Sequence, residues 1–295
     1  MASAEFPDLG AGGAMGRAGP SREPGDGTGP RPLPAPAIAA PRNVPGRVSV
    51  ITPTYNRDGF LRNALACFRQ QTHDDIEWLV LDDSTQEPSA LKNLEDRNIF
   101  YEHVAGRLSI GEKRNILIEK ARGETIVQFD DDDYYAPDYV RTMAASLADL
   151  GADLVNLRGW FLHDLRSGFF GYWDLMQKEG LHYRCDQAGV AVMALNSRNN
   201  EGLRDAHFGY GFSYAFRRRV WEAVRFPEID WNEDGEFSLR ARSRFRVDGF
   251  QDTRGLCLHF LHPASTSRCF PQHHLPNFLF RRLFSSCPAS ASSWL

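Results

Sequence analysis

Val48-Ser49-Val50-Ile51-Thr52-Pro53-Thr54-Tyr55-Asn56-Arg57 is a short β-branched run that breaks into a loop punctuated by Pro and Asn, so it reads as a strand entering a loop. Phe60, Leu61, Ala64, Leu65 and Phe68 follow at helical spacing, and Ile76 to Leu81 forms a second apolar run ending on Asp82-Asp83. The unit then recurs. Asn98 to Val104 predicts a third strand, Ser109-Ile110-Gly111-Glu112 a capping box that opens a helix to about Ala121, and Thr125 to Phe129 a fourth strand ending on Asp130-Asp131-Asp132-Asp133. Strands alternating with amphipathic helices predict an α/β fold with a parallel sheet, because parallel strands need crossovers of helix length. Ligands in such sheets bind beyond the carboxyl ends of the strands. Three of those ends carry polar or acidic residues: Thr54-Tyr55, Asp82-Asp83 and the four aspartates.

Outward from this core, Pro137 to Leu150 predicts a helix, Phe208 to Arg217 a loop and strand, Asn232 to Arg242 a helix and Gly255 to His262 a strand. The expected organisation is a Gly/Pro/Ala-rich tail over 1–46, a first lobe over 47–135, a second and less regular lobe over 136–268, and a C-terminal tail over 269–295. The first 46 positions hold nine Gly and nine Pro and almost no large apolar side chain, too little to bury a core. They read as a disordered tail, or as sequence upstream of the true start.

The 295 residues, 42% hydrophobic and 24% charged, have the balance of a globular protein rather than of a collagen, a disulfide scaffold or a wholly disordered chain. A net charge of -4 provides no whole-chain attraction for nucleic acid or anionic lipid. Five scattered cysteines without a C-x-x-C pair fit reduced thiols in a cytoplasm. No run approaches the roughly 18 apolar residues of a membrane span, and no signal-peptide core is visible at the N-terminus. A cytoplasmic protein is expected.

Four adjacent carboxylates repel one another, and a strand end is an expensive place for them unless a cation neutralises them. A hard divalent ion such as Mg²⁺ or Mn²⁺ suits such oxygens; a solvated acidic loop is the plainer alternative. Asp82 and Asp83 fit turn or capping residues, and Tyr55 fits a core position. Together at adjacent strand ends they describe instead an aromatic face for a base, a carboxylate to accept from it and a metal site for phosphates. Neither G-x-G-x-x-G nor G-x-x-x-x-G-K-[ST] follows the first strand, so the dinucleotide and P-loop signatures are both missing. Cys257, His259, His262 and Cys269 lack the paired spacing of a zinc finger.

Val48 to Arg57, Leu79-Val80-Leu81-Asp82-Asp83-Ser84, Gly111-Glu112-Lys113-Arg114-Asn115 and Phe129 to Asp133 together resemble the successive signatures of glycosyltransferase family 2, over about Arg47 to Arg268. The resemblance implies a GT-A (Rossmann-like) nucleotide-binding sheet with a smaller mixed acceptor-binding lobe. It implies that Thr54 and Tyr55 line the base pocket, Asp82 binds the base and Arg114 lies near the nucleotide. Asp130 and Asp132 match its D-x-D element, the first near the ribose and the second on Mn²⁺ or Mg²⁺. Asp133 is the usual following carboxylate.

Trp231-Asn232-Glu233-Asp234-Gly235 is similar to the family's E-D element, with Asp234 at the position of the general base, although acids in a first helical turn are also ordinary dipole-favouring choices. His262-Pro263-Ala264-Ser265-Thr266-Ser267 looks like the segment that closes over the diphosphate, with His262 on the metal or phosphate and His259 as the second choice. The function implied is an inverting, single-sugar transfer from a nucleotide-diphosphate sugar to a glycan or lipid-linked acceptor in cell-surface glycan assembly. Two other classes compete: a metal-dependent nucleotidyltransferase or phosphohydrolase, and a nucleotide-sugar-binding protein without turnover. Leu275, Phe278, Leu279, Phe280, Leu283 and Phe284 around Arg281-Arg282 suggest packing on the domain or a partner, or a peripheral membrane contact.

Overall fold

A computed structural model describes residues 44–287 except Ser89, Asn93 and Glu95. The expected tail therefore lies outside the described residues except for its last three positions, which belong to the first strand. The strands are β1 (Val44–Thr54), β2 (Ile76–Asp82), β3 (Ile99–His103), β4 (Gly123–Gln128), β5 (Tyr134–Tyr135), β6 (Leu154–Asp164), β7 (Phe169–Asp174), β8 (Gly180–Asp186), β9 (Gly189–Leu195), β10 (Ala215–Arg217), β11 (Val247–Gln251), β12 (Cys257–Leu261) and β13 (His273–His274). The helices are α1 (Asp58–Arg69), α2 (Ile110–Lys120), α3 (Tyr139–Asp149), α4 (Arg218–Ala223), α5 (Glu233–Ala241) and α6 (Asn277–Leu283). β1 starts three residues earlier than the composition suggests, because the Val44 N–H bonds the Arg122 carbonyl at 2.9 Å beside β4.

β4, β1, β2 and β3 lie side by side and parallel, as the alternating pattern requires. β2 is buried along its whole length, the signature of a strand covered on both faces. Leu61, Ala64 and Phe68 of α1 and Met143 of α3 pack with Val50, Trp78 and Val80 on one face. Leu117 of α2, Val220 of α4 and Phe237 of α5 pack with Ile51, Leu79 and Leu81 on the other.

The sheet is mixed rather than wholly parallel. The three residues of β10 insert antiparallel between β4 and β6, and β6 continues the same sheet through β7 and β13. This insertion carries the chain just before it to the end of β4, where the Gln128 N–H bonds the Tyr214 carbonyl at 2.9 Å. β12 runs parallel to β6 and pairs with β5, which brings the segment after Leu261 to the same edge. β8 and β9 form a separate hairpin.

Leu275, Leu279, Phe280, Leu283 and Phe284 pack against the main core, and the exposed Phe278 stands apart. Among the described residues no helix is long and apolar enough to cross a membrane.

Candidate functional site

α2 begins where the sequence places it. The Glu112 N–H bonds Ser109 Oγ at 3.2 Å and the Ser109 N–H bonds Glu112 Oε2 at 2.7 Å, completing the capping box. Gly111 in this first turn is required by close approach: a Cβ there would lie 1.8 Å from the Pro227 carbonyl oxygen. The segment 227–230 thus rests directly on the start of α2, with the Ile110 N–H bonded to Asp230 Oδ1 at 3.1 Å.

α2 sends two buried cations toward the strand ends. Lys113, 2% exposed, donates to the Thr54 carbonyl at 2.8 Å and to Asp83 Oδ1 at 2.6 Å. Asp83 also accepts from Arg107 Nη1 and the Leu108 N–H, each at 2.7 Å. Burial pushes its carboxyl up, but these donors prevail and hold it below the usual carboxylate range. Arg114, 4% exposed, lies 3.3 Å from Asp130 Oδ1 and 3.1 Å from Glu233 Oε1. It bridges the end of β4 to the first turn of α5, and nearly all of its side chain is shielded from solvent.

The four aspartates diverge onto four sets of partners. The Asp130 N–H bonds the Tyr135 hydroxyl at 2.8 Å, which itself donates to the Phe212 carbonyl at 3.0 Å. Asp131 accepts from Thr54 Oγ1 at 2.6 Å. Asp132 meets Arg57 Nη1 and, at 2.9 Å, His262 Nε2. Asp133 turns inward, with His259 Nδ1 at 2.9 Å from Oδ2 and the Phe260 N–H at 2.9 Å from Oδ1.

Burial pushes Asp130 up to about 8, against the pull of Arg114 and with the repulsion of its neighbours, and pushes Asp131 up to about 7 against Arg57. Burial acts on Asp132 too, but Arg57 and His262 outweigh it and hold that carboxyl far below the usual range. The run therefore contains a firmly ionised member flanked by reluctant ones.

Ligand oxygens of Asp130, Asp132 and Asp133 all lie within 4.8 Å of one another. A set of hard oxygen donors at that spacing fits Mg²⁺ or Mn²⁺. Among the described residues it is the one such convergence of metal-ligating side chains. Cys257, His259, His262 and Cys269 form no group of three ligand atoms within reach of one another among the described residues, although His259 meets both Asp133 and Cys269.

Tyr55 is 36% exposed, and the Arg107 guanidinium lies 4.1 Å from its ring centroid. Asp82 is fully buried; its Oδ1 accepts from the Ser84 N–H at 2.8 Å and its Oδ2 from the Tyr101 hydroxyl at 3.0 Å.

On the far side, Asp234 Oδ2 accepts from the Gly211 N–H at 2.5 Å and its Oδ1 from the Gly235 N–H at 2.6 Å. A Cβ on Gly211 would stand 2.6 Å from the Asp234 Cβ and 2.7 Å from Arg114 Nη1, so only glycine lets these three meet. Glu233 beside it is buried, which pushes its carboxyl up to about 7 against the attraction of Arg114.

Thr54, Asp130, Asp132, His262, Arg114 and Asp234 thus join one network of contacts along the strand ends, with Tyr55 and Asp82 at its edge. Arg57, Arg107, Lys113 and Glu233 are partners to which the sequence assigned no role. Their place in or near the motifs was their one available signal, since Arg57, Arg107 and Lys113 each pair with a carboxylate distant in the chain and Glu233 with the equally distant Arg114.

The family model "Glycosyl transferase family 2" matches residues 49–224, more than half of the chain. EpsH of Bacillus subtilis (strain 168), a protein named as a glycosyltransferase, is 33% identical over 203 residues, 66% of this chain and 55% of that one. Glycosyltransferase GlyA of Streptococcus pneumoniae serotype 4 is 23% identical over 197 residues, 65% of this chain and 27% of GlyA. The chain thus spans about half the length, or less, of these relatives. Residues 1–349 of S. aureus TarS, solved in complex with UDP-GlcNAc, superpose with a TM-score of 0.55 at 21% identity, covering 74% of this chain and 60% of that one. By its family match and its architecture, the chain belongs to glycosyl transferase family 2 and has the GT-A fold.

Proposed function

We propose that this protein is an inverting glycosyltransferase that moves one sugar from a nucleoside-diphosphate sugar to an acceptor hydroxyl, with 47–135 as the donor lobe and 136–268 as the acceptor lobe. The observation that carries the proposal is the Arg114 bridge, which ties Asp130 to Glu233 and so keeps the first turn of α5, with Asp234, against the end of β4. A nucleotidyltransferase or a phosphohydrolase has no need of that second carboxylate element.

Under this reading Thr54, Tyr55 and Asp82 take the base and Asp130 the ribose. Asp132 with His262 would hold Mn²⁺ or Mg²⁺, which supplies positive charge to the departing diphosphate when bound. Asp234 accepts the proton of the acceptor hydroxyl as its oxygen attacks the anomeric carbon. The bond from that carbon to the diphosphate oxygen breaks on the opposite face, and one displacement inverts the centre. Asp234 suits this role better than Glu233 because it is half-exposed, and each of its oxygens retains a lone pair after its backbone bond. Glu233 is buried on Arg114.

Trp231, 76% exposed and three residues before Asp234, offers an aromatic face of the kind that packs on a sugar ring, which supports a glycan acceptor. We extend the reading to cell-surface glycan assembly at the cytoplasmic face of a membrane, on the strength of the family resemblance.

The test incubates the full chain with a panel of nucleoside-diphosphate sugars, UDP-GlcNAc first because TarS binds it, with Mn²⁺ or Mg²⁺. Slow release of nucleoside diphosphate, lost together with metal-dependent donor binding in Asp132→Ala, is the expected result. Release of pyrophosphate or monophosphate would instead indicate a nucleotidyltransferase or phosphohydrolase. Binding without release would indicate a carrier of nucleotide sugars.

A further inference from the structure

The Asp132 carboxylate already has a cation of the chain's own. Arg57 Nη1 contacts Asp132 Oδ2, lies 3.5 Å from Asp131 Oδ1 and stands 3.2 Å from His262 Nε2. One guanidinium group thereby meets both side chains to which the proposed function assigns the divalent ion. The Ala264 N–H bonds His262 Nδ1 at 3.2 Å, so Nδ1 accepts and Nε2 carries the proton that faces Asp132. In this arrangement His262 presents no free ligand atom, and the Asp132 oxygen that faces it, Oδ2, is taken by Arg57 and His262.

A guanidinium and a divalent ion compete for the same carboxylate lone pairs, and their like charges exclude joint occupancy at hydrogen-bond distance. Arg57 is positioned to leave. It immediately precedes α1, its side chain is 23% exposed, and beyond these contacts its guanidinium lies, among the described residues, against the Phe60 ring, 5.6 Å from the centroid. Phe60 in turn packs on the His262 ring at 4.6 Å between centroids. A diphosphate offers a guanidinium a better partner than a carboxylate already shared with histidine, because paired phosphate oxygens match its fork of donors.

We infer that Arg57 is the resident counter-ion of Asp132 in the donor-free protein, that it competes there with the divalent ion, and that the donor's diphosphate frees Asp132 by drawing Arg57 onto its own oxygens. The inference rests on the reading of Asp132 as a metal-binding residue. Its consequence is that metal and nucleotide help each other to bind by more than phosphate ligation alone, and such coupling is reciprocal.

The experiment measures Mn²⁺ binding to the full chain by the paramagnetic resonance signal of free Mn²⁺, with and without UDP, in wild type, Arg57→Gln, Arg57→Met, Arg57→Lys and Asp132→Ala. Thermal melts without metal confirm that each variant is folded. Without UDP, either neutral Arg57 variant should bind Mn²⁺ about tenfold or more tightly than wild type, the equivalent of one competing charge-assisted hydrogen bond removed. The gain produced by UDP should shrink by the same factor, and Arg57→Lys, which keeps the charge, should stay near wild type. Two neutral variants allow one to fail in folding without loss of the test. Unchanged or weaker Mn²⁺ binding in the neutral variants, with binding still lost in Asp132→Ala, would overturn the role of Arg57 and leave the metal reading standing. Equal Mn²⁺ binding by Asp132→Ala and wild type would overturn the metal reading, and the inference with it.

Discussion

Replacing Asp234 by Asn removes the proposed proton acceptor with the least change of shape, and the structure shows what else it changes. Both carboxylate oxygens accept backbone N–H bonds, from Gly211 and from Gly235. The amide can keep one of these, but its NH₂ must then face the other N–H, donor against donor. An unsatisfied pair of this kind costs about 1–3 kcal/mol. At about 2–4 °C per kcal/mol for a unit of this size, the melting temperature should fall by about 2–12 °C, so the substitution is not silent in stability. Turnover should fall by a further and larger factor, about 10²–10⁴, the usual share of general-base assistance. The assay therefore runs at least about 15 °C, a margin wider than that shift, below the variant's own melting point, with donor affinity measured on the same sample. Donor affinity should stay within about threefold, because a loss confined to proton transfer lowers kcat without weakening ground-state binding. Turnover within threefold (roughly the scatter of such rate comparisons) of wild type in a folded sample would remove Asp234 as the base. Glu233→Gln then becomes the decisive variant, since its carboxyl is the other one in the first turn of α5 facing Arg114.

Two further outcomes follow from the ion pairs. Lys113→Met removes one partner of a buried pair and strands the Thr54 carbonyl; Arg107 and the Leu108 N–H still hold Asp83, so the low end of the usual 3–5 kcal/mol applies, about 3 kcal/mol or about 6–12 °C in melting temperature. A drop under about 2 °C would show that Lys113 is not a structural cation. With metal chelated, stability should fall as pH rises from 6 to 8.5: Asp130 at about 8, and Asp131 and Glu233 at about 7, retain protons that the unfolded chain has already released above about pH 5, so the unfolded state gains as these carboxyls ionise. Asp132 and Asp83, which are shifted downward, act only in more acid solution. A melting temperature flat or rising across that window would contradict the upward shifts of these three carboxyls.

The parts legible in the sequence were those set by short-range pattern. The capping box at Ser109 and Glu112 is satisfied atom for atom, and the strands ending on Thr54, Asp82 and the aspartate run are parallel neighbours because apolar runs separated by helical periods leave few other topologies. β10 was not legible as an antiparallel insertion: three residues carry no periodicity, and their partners lie on β4 and β6, remote in sequence. The C-terminal apolar cluster shows the converse. Its composition fits a membrane surface and a protein core equally, and the packing of Leu279, Phe280, Leu283 and Phe284 on the core decides the use made of those four side chains.

The aspartate run marks the limit most sharply. Its composition says that four like charges need compensation, but not which cation meets which carboxylate, because the partners arrive from 16 to 130 positions away. Folding gives each charge its own partners on different elements, although oxygens of Asp130, Asp132 and Asp133 stay within 4.8 Å of one another: Asp130 turns toward α2, Asp131 toward the end of β1, Asp132 toward Arg57 and the segment after β12, and Asp133 into β12 itself. The inward pair at Asp133 and His259 is buried among Phe212 and Trp160, so exchanging either member for a ligand would require repacking the core. Asp132 differs from it in that one of its partners, the Arg57 guanidinium, reaches solvent, so that on the inference above it exchanges for another cation while the buried His262 stays in place. On that reading the carboxylate proposed for the ion is distinguished from its neighbours by the exposure of the group that neutralises it, a property that local sequence does not encode.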